Sequence, residues 1–220
     1  MTGDPAETGP AVARIVVVAT RNAHKLREIR EILTGLDLEL RSLDAFADVP
    51  EVEEDGDTFR ANAVKKAAVV AAATGHVVLA DDSGLVVPDL GGAPGVRSAR
   101  YAGEDATDAG NRARLHAEIA RAGLERPRAH FRCAIVLVDP SGAVVAEADE
   151  RCEGRIVTPD RGGGGFGYDP MFLDEELGRT FAEVPAEEKN ARSHRGRALR
   201  ALRGRLADLR RAGGAAADHP

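Results

Sequence analysis

Glu53-Glu54 and Asp81-Asp82 are two carboxylate pairs, one before a helix and one at the end of a strand. Magnesium takes one or two protein carboxylates and keeps room for water and phosphate oxygens. One member of each pair would therefore suffice for a hard divalent cation, and a carboxylate beside it suits acceptance of a proton from attacking water. Lys25 closes the polar run Thr20-Arg21-Asn22-Ala23-His24-Lys25 at a helix start, and Asn62 and Lys66 lie four apart on one face of a later helix. Gly162 to Pro170 formally contains G-x-G-x-x-G, but Tyr168-Asp169-Pro170 cannot open the helix that a dinucleotide motif needs. The chain has six Phe, two Tyr and no Trp, and Phe166 and Tyr168 fall where a base could stack. Lys189 and His194-Arg195 flank Ser193 at a helix start, where the dipole disfavours positive charge. Glu187 or Glu188 would compensate it, or else a bound base or phosphate. Each group also has a plainer reading. Asp-Asp-Ser-Gly is a good turn, Thr20 and Asn22 are good caps, and lysines on helices are usually solvated.

The elements that must position these groups follow from periodicity. Arg14–Ala19 is a β-branched run with the character of a buried strand. Its polar loop leads to Leu26, Ile29, Ile32 and Leu33 at helical spacing, with Gly35 as a stop. A polar, proline-broken stretch then runs through Glu54. Asp57-Thr58 caps a helix over Phe59–Thr74, whose stripe is Phe59, Ala63, Ala67, Val70 and Ala71, and Gly75 ends it. Val77–Ala80 is a buried strand cut off at Asp81–Gly84, with Leu85–Val87 resuming it. Gly91–Gly95 is a loop, Asp108–Ala122 a helix, and Ala129–Asp139 with Val144–Cys152 a hairpin. The last helix spans about His194–Arg211, with Ala198, Leu199, Leu202, Leu206 and Leu209 inward and Ser193 as cap. Strands and helices interleave without strict alternation, which predicts a mixed α/β sheet in one domain, 14–211, between flexible tails at 1–13 and 212–220.

Composition limits the partners. The 220 residues carry 30 Lys and Arg against 36 Asp and Glu, a formal charge of -6. Such a chain has no global positive field, so neither nucleic acid nor an anionic membrane is an expected partner. No stretch approaches the roughly 20 apolar residues of a spanning helix, and a soluble cytoplasmic protein is expected. Cys133 and Cys152 lie far apart and read as reduced packing residues.

Taken in order, six segments resemble the inosine/xanthosine triphosphate pyrophosphatase family: ATRNAHK at 19–25, EEDGDTFRANAVKKA at 53–67, ADDSGL at 80–85, GGAPGVRSARYAG at 91–103, GGFGYDPMF at 164–172 and EEKNARSHRGRAL at 187–199. The resemblance implies an elongated mixed α/β sheet with flanking helices forming two lobes around a substrate cleft. It implies hydrolysis of ITP, dITP and XTP to the monophosphate and pyrophosphate with Mg2+, or Mn2+ in its place, by a homodimer. Thr20, Arg21, Asn22, Ala23, His24 and Lys25 would hold the triphosphate, Lys66 would add a second cation, and Glu54 and Asp82 would bind the metal, Asp82 also accepting the proton. Ser83 would contact the substrate. Phe166, Gly167, Tyr168 and Asp169 would stack on and hydrogen-bond the base, with Lys189, His194 and Arg195 completing its pocket. Donors such as Arg195, His194 and backbone N–H groups suit a 6-oxo purine. The family usually has glycine where this chain has Arg21, which questions the loop conformation there or adds a phosphate contact. A Maf-type pyrophosphatase and a non-catalytic nucleotide-binding module are the competing expectations.

Overall fold

A computed structural model describes residues 14–36 and 38–215, with side chains described through 207. The tail expected at 1–13, residues 216–220 of the tail expected at 212–220, and the inward place expected for Leu209 lie outside the described residues, while 212–215 belong to the last helix rather than to a tail. The elements are β1 (Arg14–Val18), α1 (Ala23–Ile32), β2 (Leu38–Ser42), α2 (Phe59–Thr74), β3 (Val77–Val86), α3 (Asp108–Arg121), β4 (Arg128–Val138), β5 (Val144–Ile156), β6 (Phe172–Asp174), β7 (Arg179–Thr180), α4 (Ala186–Arg192) and α5 (His194–Ala215). They build one mixed sheet in the order β2-β1-β3-β4-β5-β6-β7. β1 runs parallel to both β2 and β3, and every later pairing is antiparallel.

Alternation along the strands divides the core. Val16, Val18, Leu79, Cys133 and Ile135 pack against Ile29, Leu33, Leu199 and Leu202 of α1 and α5. Val17, Val78, Ala80 and Val136 face the small residues of α2 instead. At the other end of the sheet Phe131, Phe172 and Phe181 form an aromatic core with Leu115 and Ile119 of α3. Both cysteines are free and buried in these clusters. α2 matches its sequence reading at both ends: the Thr58 hydroxyl accepts from Ala61 N–H, and Gly75 closes the helix with φ 68°.

Several elements differ from expectation. β3 is not cut at Asp81–Gly84. Asp81 and Asp82 stay in ladder register with Ile135 and Ala134, because partners from three helices satisfy the carboxylates that would otherwise favour a turn. At Gly84, a Cβ would stand 2.6 Å from the Gly95 carbonyl oxygen and 2.9 Å from the Phe59 ring, so glycine there lets two segments close on the strand. The stretch before Glu54 contains β2, a short edge strand whose Leu38 and Leu40 pack inward. α4 and the short β6 and β7 were also unread, and α5 continues through Ala215 rather than stopping at Arg211.

Candidate active site

The turn from β1 into α1 is built around Asn22. Its Oδ1 accepts from the N–H groups of His24 (2.9 Å) and Lys25 (3.1 Å), while Thr20 Oγ1 accepts from Asn22 N–H at 3.1 Å. Two helix N–H groups that an anion might have used are thus occupied, and the cations remain. Lys25 Nζ lies 3.1 Å from Asp81. Arg21 is exposed beside the same groove, which Thr20, Asn22, Glu54 and Lys66 also line. Its guanidinium approaches the Val49 carbonyl at 3.5 Å. Arg126 is the non-glycine residue with positive φ among the described residues, so Arg21 needs none of glycine's left-handed freedom.

β3 carries the two aspartates in opposite directions. Asp81 is 1% exposed and meets Lys25 and Arg195. Burial alone would raise its pKa, but the charges of Lys25, Arg195 and Lys66 hold it well below the usual carboxylate range. Asp82 lies on the α2 side, held on both oxygens: Asn62 Nδ2 donates to Oδ2 at 2.9 Å and Ser83 N–H to Oδ1 at 2.8 Å. Burial and then the neighbouring Glu54 charge outweigh Lys25 and raise the Asp82 pKa. Asn62 also accepts from Gly56 N–H at 2.7 Å, tying the Glu54 loop to the same helix. Lys66 Nζ donates to Glu54 Oε1 at 2.5 Å and to the Asp81 carbonyl at 2.7 Å. Its burial is outweighed by Asp81 and Glu54, so its pKa rises and it stays charged. Of the first acid pair, Glu53 points to solvent and Glu54 into the cleft.

The described residues hold no cluster of three or more His, Cys, Asp or Glu able to cage a metal. Glu54 and Asp82 nevertheless face one cleft, and the Glu54 charge adds to burial in raising the Asp82 pKa. That donor set fits a hard cation that takes two carboxylates and fills its shell with water and phosphate oxygens.

The other end of the cleft has an aromatic wall. Phe166 stacks on His24 with centroids 5.3 Å apart, and Lys189 Nζ stands 4.5 Å from its ring centre. Asp169 Oδ2 accepts from Phe166 N–H at 2.9 Å and from Lys189 at 2.6 Å, so it pins the loop. Tyr168 is buried and donates its hydroxyl to the Ser98 carbonyl at 2.8 Å. His194 stacks on Phe131 at 4.8 Å, with Nδ1 3.9 Å from Cys152 Sγ. Burial, with the Arg195 and Lys189 charges, lowers its pKa well below the ordinary value and keeps it neutral. Burial likewise pushes the Cys152 thiol up to about 12.

The positive charge at the last helix start is not compensated by Glu187 or Glu188. Glu188 bonds Arg179 on the surface. Glu28 of α1, unread in the sequence, takes Lys189 at 2.8 Å and also Arg195, and Arg195 reaches Asp81 at 3.2 Å and Ser83 Oγ at 2.9 Å. Glu28's burial is outweighed by these cations, which lower its pKa. The glycine-rich segment at 91–103 adds two supports. Ser98 Oγ accepts from Leu85 N–H at 2.9 Å, and Arg100 Nη2 donates to the Glu54 carbonyl at 2.5 Å. Glu28 had one signal: it falls beside the apolar stripe of α1, four before Ile32.

Asn22, Lys25, Glu54, Asp82, Ser83, Phe166, Gly167, Tyr168, Asp169, Lys189, His194 and Arg195 all line one cleft. Thr20, Arg21 and Lys66 line the groove that joins it at Asn22, Lys25 and Glu54. Ala23 is exposed at the start of α1 and lines neither. Cation-rich at one end and aromatic at the other, the cleft has the form of a nucleotide site in a mixed α/β protein. The chain belongs to the Ham1 family, whose model matches residues 16–205. A relative from Geobacter sulfurreducens named dITP/XTP pyrophosphatase is 55% identical over 87% of this chain and 96% of its own length. Another of that name, from Geobacillus kaustophilus, is 48% identical over 85% and 91%. The solved HAM1 protein of Coxiella burnetii superposes with a TM-score of 0.80 at 40% identity, covering 89% of this chain and 99% of that one. A nucleoside-triphosphatase / dITP/XTP pyrophosphatase from Mycobacterium abscessus gives 0.69 at 42% identity over 86% and 98%.

Proposed function

We propose that this chain hydrolyses the non-canonical purine nucleoside triphosphates dITP, ITP and XTP to the monophosphate and pyrophosphate, clearing them before polymerases incorporate them. The supporting observation is that one cleft joins the facing carboxylates Glu54 and Asp82, with lysines beside them, to an aromatic wall beside a neutral histidine. Water attacks the α-phosphorus. A new P–O bond forms as the bridging bond to the β-phosphate breaks, and Asp82 accepts the water's proton. Burial raises the pKa of Asp82 toward that task. Lys25 and Lys66 offset charge growing on the departing pyrophosphate, and Thr20 to Lys25 shape the triphosphate groove. The family's chemistry depends on a metal ion; we take it as magnesium, with manganese as substitute, held by Glu54 and Asp82. When bound, it polarises phosphoryl oxygens as a Lewis acid.

Base recognition narrows to few donors. Phe166 N–H is taken by Asp169 and Gly167 N–H by Asp108, so the loop amides expected to donate are already engaged. Arg195 and Lys189 are held by Glu28, Asp81 and Asp169. His194 is the neutral donor to a 6-oxo group, while Phe166 leaves His24 to stack on the purine. Adenine presents an amino group there, and the unmet donors would cost about 1–3 kcal/mol each. Guanine keeps the 6-oxo group, so its rejection falls on the 2-amino group.

We further take residues 14–211 as one catalytic unit acting as a homodimer in the cytoplasm, with the nucleotide as its partner. Among the described residues no helix is long and apolar enough to cross a membrane. The test is a triphosphate panel with and without chelator. Pyrophosphate release from ITP and XTP, abolished by chelation, is expected. Orthophosphate release, or a preference for pyrimidine triphosphates as in a Maf-type enzyme, would overturn the reading.

A further inference from the structure

We infer that Asp108 and Arg112 of α3 are positioning residues that hold the Phe166–Asp169 loop in its base-accepting shape by gripping both main-chain groups of Gly167. Gly167 N–H donates to Asp108 Oδ2 at 2.7 Å, and its carbonyl accepts from Arg112 Nη1 at 2.8 Å. Gly167 has φ 61°, a left-handed conformation that glycine permits without selecting it. Two charged side chains one helical turn apart select it here.

The grip is braced from behind. His116 follows in the same row of α3, and Asp160 bridges the two: Oδ2 accepts from Arg112 Nε at 2.7 Å, and Oδ1 meets His116 Nε2 at 2.7 Å. Thr158 Oγ1 stands 3.0 Å from His116 Nδ1. The neighbouring face of α3 is locked into the protein. Leu115 and Ile119 are buried in the aromatic core, and Asn111 bonds the Ala99 carbonyl at 3.0 Å and Ala102 N–H at 2.8 Å. Rotating α3 to release the loop would open that core. The loop is therefore held from outside by Asp108 and Arg112 and from inside by Asp169. Neither α3 residue carries a role in the family resemblance. Asp108 in a first helical turn has an ordinary reading as a dipole partner, but its carboxylate is spent on a residue 59 positions away.

This inference rests on the reading that the loop forms the base wall, and its test separates the two. Amide hydrogen exchange over residues 162–171 is measured on the free chain for the wild type, Asp108→Ala, Asp108→Asn, Arg112→Ala and Arg112→Lys. Loss of a charge-assisted hydrogen bond should speed exchange in this loop by roughly tenfold or more in both alanine variants, leaving β3 and β4 unchanged. Asp108→Asn keeps an acceptor oxygen and should restore slow exchange. Arg112→Lys loses the fork that reaches Gly167 and Asp160 together and should not. With ITP as substrate, the alanine variants should raise KM about tenfold while kcat moves less than about threefold. Unchanged loop exchange in both alanine variants overturns the positioning role. Faster exchange with an unchanged KM overturns its bearing on the base. Should the wild type leave ITP intact, the proposed function falls while exchange still decides the grip. Should Arg112→Ala fail to fold, Asp108→Ala at its exposed position decides alone.

Discussion

Asp81 and Asp82 adjoin in sequence and differ in every physical respect. Asp82 faces the cleft with a raised pKa and an open task, whereas Asp81 is spent on Lys25 and Arg195. Asp82→Asn should lower kcat by roughly 10^2–10^4-fold, the usual worth of a proton acceptor, with the fold intact by circular dichroism. Asp81→Asn should behave otherwise. Removing one partner of a buried ion network costs about 3–5 kcal/mol, read as a lower urea midpoint at neutral pH. Asp81's folded pKa is depressed, so its contribution is present above the ordinary carboxylate range and is lost as pH falls through and below that range. The stability curves of Asp81→Asn and wild type should therefore converge toward acid pH. A gap that persisted there would contradict the ion-network account. Local residue chemistry could not separate the two aspartates, and the motif resemblance alone singled out Asp82, because the cations that pair with Asp81 come from helices distant in the chain.

At the scale of elements, legibility followed local information. α2 declared itself through the Thr58 cap, its apolar stripe and Gly75, and all three stand as read. β3 hid its continuity because Asp-Asp-Ser-Gly has turn chemistry, while the groups that hold it extended belong to α1, α2 and α5. β2 and α4 are too short for a periodic signal. Glu28 escaped for a related reason: its partners Lys189 and Arg195 lie 161 and 167 positions away, and no window of sequence brings them together. Close packing on β3 yields its own prediction. Gly84→Ala would press a methyl group between Gly95 and the Phe59 ring, and overpacking of this kind costs about 1–3 kcal/mol. Chemical denaturation should register that loss, and an unshifted midpoint would mean that the neighbouring segments give way freely.

For the molecule as a whole, the motif order pointed to the same class of protein that the fold and the relatives define. The cleft was legible as a set of residues, since the matched segments converge on it. Its wiring was not: that Asn22 caps α1, that Glu28 answers Lys189 and Arg195, and that loop amides are already bonded are facts of three dimensions. Association is the property sequence bears on least. Sedimentation should give twice the mass of one chain if the proposed homodimer holds, and a single-chain mass across micromolar concentrations would remove it.

Glu54 is bonded to Lys66 and Lys25 to Asp81, so the charges of the cleft are traded against one another. On the proposed reading, loading would be a swap of partners: phosphate oxygens would take the lysines as the cation took Glu54, and both halves of the trade would favour arrival of nucleotide and metal together. Free magnesium alone should be a poor ligand, because it must evict a lysine without offering that lysine a new anion. By the same count, little net charge is neutralised on loading, so affinity for the complexed triphosphate should fall only gently with added salt. Titration calorimetry of metal, nucleotide and their complex, each at two ionic strengths, would display that exchange directly.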